Sequence, residues 1–85
     1  MKKLGTRELA RQVAARQNCY IRDAREVLDH FAAVVAENLE SGRSVHFAAL
    51  GTFHPIPQRH GRGLRVRFRP AAALRRRLAA RQDGG

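Results

Sequence analysis

The stretch Leu64-Arg65-Val66-Arg67-Phe68-Arg69-Pro70 alternates apolar side chains with arginine. Side chains on a strand point to opposite faces in turn, so Leu64, Val66 and Phe68 share one face and Arg65, Arg67 and Arg69 the other. Guanidinium is planar, permanently charged and able to give paired hydrogen bonds, which suits phosphate. The chemistry this pattern offers is therefore anion binding. Arg59 and Arg62 extend the set in Gln58-Arg59-His60-Gly61-Arg62-Gly63, and Arg75, Arg76, Arg77 and Arg81 follow it.

Other chemistry finds no constellation. His30, His46, His54 and His60 include no helical i, i+4 ligand pair, and Cys19 is far from them in sequence, so no metal is expected. A paired acid, a Ser/His/Asp arrangement and a phosphate-cradling glycine loop are all missing, so neither an enzyme nor a cofactor is expected. His54 and His60 are expected to titrate beside phosphate.

The arginines are also segregated. Up to Glu40 seven Lys or Arg stand against six acids, whereas Ser41 to Gly85 holds ten arginines against Asp83 alone. Almost all of the net charge of +10 thus lies in the second half. Interleaved Leu64, Val66, Phe68, Leu74 and Leu78 give that half apolar side chains to fold around, which favours a folded cationic surface over a disordered tail. A chain of 85 residues suits one domain, expected over residues 1–82 with 83–85 as a disordered tail. It buries little surface as a monomer, which favours an oligomer. One cysteine precludes an intrachain disulfide, and no apolar run follows Met1-Lys2-Lys3, so a cytoplasmic protein is expected.

The elements that must position these residues follow from pattern. Thr6 as N-cap and Glu8 in the first turn predict a helix from Arg7 to about Gln17, ended by Asn18. Arg22 to Leu39 has neither Gly nor Pro, and its stripe of Ala24, Val27, Leu28, Phe31, Val34, Val35 and Leu39 predicts a longer helix ended by Ser41-Gly42. That stripe is wider than the first helix could cover, which suggests contact with a second subunit. A strand near Ser44 to Ala48 and another from Thr52 follow, with Gly51 at a turn or bulge between them. Pro55 and Pro57 should make the second strand irregular beyond His54, or else should face outward at an edge. After a glycine-bearing tip and the arginine strand, Pro70 is placed first in a last helix with Ala71, Leu74 and Leu78 as its inner stripe.

Arg22-Asp23-Ala24 opening the long helix, Leu50-Gly51-Thr52-Phe53 in the sheet and Phe68-Arg69-Pro70 followed by Ala73-Leu74 resemble, in order and spacing, the HU/IHF family of bacterial nucleoid DNA-binding proteins. The resemblance implies an α+β fold with two N-terminal helices, a three-stranded antiparallel sheet and a short C-terminal helix. It further implies an intertwined homodimer with a sheet saddle on the backbone of double-stranded DNA. On this reading Phe31, Val35, Phe47, Phe53 and Phe68 belong to the dimer core, and Lys2, Lys3, Arg59, Arg62, Arg65, Arg67, Arg69, Arg75 and Arg76 contact DNA. Backbone amides of residues 49–52 would add neutral phosphate contacts.

The chain departs from the family's pattern where the family bends DNA. Only fourteen residues separate Phe53 from Phe68, and Gly61-Arg62-Gly63 leads into Leu64 rather than an Asn-Pro tip, so the family's long arm is truncated here. A proline wedge between base steps kinks DNA in such proteins. Without that tip, reduced bending is expected, with Pro55, Ile56 and Pro57 as the one remaining wedge. Competing readings are a monomeric winged helix with Arg22 to Leu39 in the major groove, a dimeric protein-interaction scaffold, and an RNA binder.

Overall fold

The computed structural model describes residues 3–83, in the order α1 (Thr6–Gln17), α2 (Ile21–Glu40), β1 (Val45–Phe47), β2 (Gly51–Pro57), β3 (Leu64–Pro70) and α3 (Ala72–Asp83). The chain forms two compact units, one reaching to Val34 and the other starting at Val35.

In the first unit α1 begins one residue earlier than its sequence suggests. Gly5 occupies the extended N-cap position and its carbonyl accepts from the Leu9 amide at 3.1 Å, so Thr6 is the first helical residue and not the cap. Asn18 ends the helix in the left-handed conformation (φ 61°, ψ 51°), and the Cys19 amide donates to the Ala14 carbonyl. Helix α2 starts where the Tyr20 carbonyl takes up the Asp23 and Ala24 amides. Ala10, Ala14 and Ala24 form the buried cluster, with Leu28 against it. Alanines bury little area, and among the described residues no large side chain is fully buried. Leu9, Val13 and Val27 remain exposed, Val27 by 66%.

In the second unit Gly42 (φ 84°) closes α2. The Arg43 amide reaches back to the Asn38 carbonyl and the Gly42 amide to that of Leu39, the paired bonds that satisfy a helix end through a left-handed residue. The sheet is antiparallel with order β1-β2-β3. Its phase follows from the Gln58 amide, which donates to the Gly63 carbonyl at 3.1 Å. Because hydrogen-bonding direction alternates along a strand, Ile56, His54 and Thr52 must also bond toward β3, while Pro57, Pro55 and Phe53 turn their backbone groups toward the β1 side.

That phase explains how β2 runs unbroken through Pro57. Of the two expectations for these prolines, irregularity beyond His54 is not met and placement outward at an edge is. Strand β1 pairs only with Gly51 to Phe53, so the two prolines lie past its end, where their missing N–H groups leave no ladder bond unmade. Pro70 is likewise the last residue of β3 and not the first of α3. Ala71 instead makes the junction, donating to the Leu50 carbonyl at 2.9 Å and accepting from Arg75 at 3.0 Å. Ala71 at this junction and Leu74 in α3, which reaches Asp83, are half-buried, but Leu78 is exposed and does not serve as an inner residue.

Gly51 is where the sheet is tightest. A Cβ there would collide with the carbonyl oxygen of Arg69 and come within 2.9 Å of the Phe68 ring. With φ at 150°, the position suits glycine on both counts. The close approach lets Phe53 and Phe68, opposite each other in a non-hydrogen-bonded pair, bring their rings to 5.0 Å between centroids.

Candidate nucleic-acid interface

The register sorts the sheet into two chemically distinct faces. One carries Val45 and Phe47 from β1, Phe53, Pro55 and Pro57 from β2, and Leu64, Val66 and Phe68 from β3. The other carries His46 from β1, Thr52, His54 and Ile56 from β2, and Arg65, Arg67 and Arg69 from β3. Ser44, just before β1, joins the second face through its bond to His54. Alternation along β3 thus places its three arginines together, spaced by about 6.6 Å along the strand.

The arginines have no acid to answer them within this part of the sequence. Arg11, Arg22 and Arg25 on α1 and α2 pair with Glu8, Asp23 and Asp29 at 3.4, 3.6 and 3.2 Å. From Ser41 to Gln82 there is no Asp or Glu at all. Arg65, Arg67 and Arg69 are exposed, so their charge is directed to solvent and to whatever polyanion approaches.

Polar cross-strand bonds order the rest of the face. Ser44 Oγ lies 2.9 Å from His54 Nδ1, and His46 Nδ1 lies 2.9 Å from Thr52 Oγ1. His46 and Thr52 sit directly opposite one another across β1 and β2, where side chains approach closely, and Ser44 reaches His54 from just before β1. In the sequence His46 has a role only in a candidate metal set, and Ser44 and Thr52 carry no side-chain role of their own. The signal was their shared parity, which has meaning only once the β1–β2 register is known. Among the described residues, no three His, Cys, Asp or Glu side chains gather as a metal site.

The remaining expected DNA contacts lie elsewhere. Arg59 and Arg62 are exposed on the six-residue tip between β2 and β3, where Gly61 (φ 87°) and Gly63 (φ 91°) turn the chain. Arg75 and Arg76 are exposed on α3. Lys3 is exposed ahead of α1, and Lys2 lies outside the described residues. Of the expected dimer-core residues, Phe47, Phe53 and Phe68 share the apolar face. Val35 and Phe53 are half-buried, and Phe31, Phe47 and Phe68 are about two-fifths exposed in the single chain. No described helix is long and apolar enough to cross a membrane.

Two helices, an antiparallel sheet with a cationic face and a short closing helix define an α+β fold of the HU type. The family model for bacterial DNA-binding proteins matches residues 4–66, well over half of the chain, and the chain belongs to that family, the HU/IHF group. Among solved structures it is similar to HU from Thermotoga maritima, with 23% identity, a TM-score of 0.73 and coverage of 88% of this chain and 98% of the other. A single-substitution variant of the same HU gives 23% identity, a TM-score of 0.77 and coverage of 88% and 99%. No curated protein sequence matches.

Proposed function

We propose that the protein is a nucleoid-associated architectural factor that binds double-stranded DNA through its phosphate backbone, with little base readout. The observation that carries this reading is the face holding Arg65, Arg67 and Arg69 in a segment of sequence devoid of carboxylates. Arg59 and Arg62 on the tip, Arg75 and Arg76 on α3, and Lys2 and Lys3 reach flanking phosphates. Backbone contacts of this kind place the protein without reading sequence. The tip between Pro57 and Leu64 is too short to wrap a duplex as a long arm does, so bending is weak. Catalysis has no role, and the site of action is the cytoplasmic nucleoid.

The working form is a homodimer in which residues 1–82 of each chain act as one DNA-binding domain. Exposed Leu9, Val13, Val27, Leu64, Val66 and Phe68 support this reading. Fully burying a side chain of this size is worth about 1.5–3 kcal/mol, a gain that the single chain leaves unrealised. Phe31, Val35, Phe47, Phe53 and Phe68 contribute to the shared core.

A salt titration of binding to a short duplex with donor and acceptor dyes at its ends tests affinity and bending together. Log K should fall linearly with log salt by about 0.9 per phosphate contacted, with little end-to-end approach. A flat salt response would overturn the backbone reading, and marked end-to-end shortening would overturn weak bending.

A further inference from the structure

Beside the arginine strand, across β1 and β2, lie two hydroxyl–imidazole pairs, Ser44 with His54 and Thr52 with His46, each at 2.9 Å. Both bonds engage Nδ1. When the hydroxyl donates, the proton of the neutral ring sits on Nε2, making that edge a hydrogen-bond donor. When the ring is protonated, the hydroxyl turns to accept from Nδ1–H and Nε2–H remains a donor. With the hydroxyl donating to the neutral ring, each pair offers Nε2–H in either charge state. We infer that His46 and His54 are phosphate-binding residues of this face, presented through Nε2, and that through them the grip on duplex DNA tightens as pH falls.

The surroundings of both rings favour this role. His54 is flanked by Ser44, just before β1, and by Arg67 directly opposite on β3, with Arg65 and Arg69 diagonal to it and Thr52 and Ile56 as same-face neighbours on its own strand. His46 faces Thr52, with His54 diagonal and Ser44 beside it on its own side. Of the acids in this unit, Glu37 and Glu40 lie on α2, and Glu40 borders a hollow lined by Pro55, Leu64 and Val66 of the opposite face and by Arg65 of this one. Asp83 belongs to the end of α3. Within the sheet, the registered neighbours of the two imidazoles on this face are therefore hydroxyls, arginines and Ile56, and none is a carboxylate.

The sign follows from linkage. Imidazole side chains change charge between about pH 5 and 8, and a bound phosphate favours the protonated ring. The complex then holds more protons than the free protein, so affinity rises as pH falls through this range. Each proton taken up contributes at most about tenfold per pH unit, so two histidines suffice for roughly tenfold tightening between about pH 8 and pH 6.

The inference rests on the DNA-binding reading, and its test separates the two. Anisotropy of a labelled duplex is followed from about pH 8 to pH 6 at fixed ionic strength, with the wild type, the double variant His46→Gln/His54→Gln and the single variant His60→Gln. The wild type should tighten roughly tenfold, the double variant should change less than about twofold, and His60→Gln should keep most of the wild-type slope. Salt-steep binding that the double variant retains with full pH dependence would overturn the inference and leave the DNA reading intact. A slope lost with His60→Gln alone would do the same. No wild-type binding at low salt at any pH would overturn both. Independently of DNA, the ring nitrogen shifts of the free protein at about pH 8 should report the Nε2–H tautomer for both residues, and the Nδ1–H tautomer would contradict the proposed presentation.

Discussion

The two faces of β3 share one backbone of seven residues and have opposite chemistry. Leu64, Val66 and Phe68 continue an apolar surface with Val45, Phe47 and Phe53, while Arg65, Arg67 and Arg69 continue a polar one with His46, Thr52 and His54. A helix would spread the same seven residues around its axis. A strand separates them completely, so the surfaces proposed for assembly and for DNA lie one residue apart. Substitutions at neighbouring positions of β3 should therefore produce unrelated defects.

The largest expected contrast is between Val66→Asp and Arg65→Gln. A charge on the apolar face would have to be buried in the proposed dimer, and the dimer should weaken by about 3 kcal/mol or more, over a hundredfold. Arg65→Gln should leave the sedimentation of the protein unchanged. A Val66→Asp chain that sediments as the wild type does would break the division between faces.

Gly51→Ala should be nearly as damaging to stability, because the added methyl meets the Arg69 carbonyl and the Phe68 ring at once. A loss of about 2–3 kcal/mol is expected from thermal or urea unfolding. The same change displaces the strand that sets the faces, so affinity for DNA should drop with stability. A fully stable Gly51→Ala protein would mean that β2 and β3 are not so closely held.

Ala48→Gly should have the smallest effect. Ala48 adopts a positive φ of 33° in the turn where the Leu50 amide returns to the Phe47 carbonyl. Glycine removes that strain but costs unfolded-state entropy, so a net stabilisation of under about 1 kcal/mol is expected, with DNA affinity unchanged. Melting temperature and binding, measured on the same preparation, check both halves of this expectation.

What the sequence made legible were features that depend on near neighbours. The period of two in Leu64 to Arg69 is a local property of a strand, and the faces it predicts are those observed. Asn18 and Gly42 end their helices as expected, because a left-handed residue after an apolar stripe is also a local signal. Features that depend on distant partners were hidden. Whether Pro55 and Pro57 interrupt β2 depends on where β1 stops, and β1 stops after Phe47. The bonds from Ser44 to His54 and from His46 to Thr52 need a register that spans a turn. At α1 the cap moved from Thr6 to Gly5, because an extended glycine supplies the first carbonyl with no side-chain bond. Pro70 fitted either a strand end or a first helical position by its φ alone, and its pairing with Gly51 decided for the strand.

The claim that the arginine face of β3 is the phosphate-binding surface is tested most directly by the salt dependence of duplex binding for Arg65→Gln/Arg67→Gln/Arg69→Gln beside the wild type. Each lost phosphate contact removes about 0.9 from the slope of log K against log salt. The slope should become shallower by about 2–3 per chain, with weaker binding at every salt concentration and unchanged unfolding and sedimentation. A triple variant with the wild-type slope and affinity would contradict it, and would place the phosphate contacts on the tip and α3 instead.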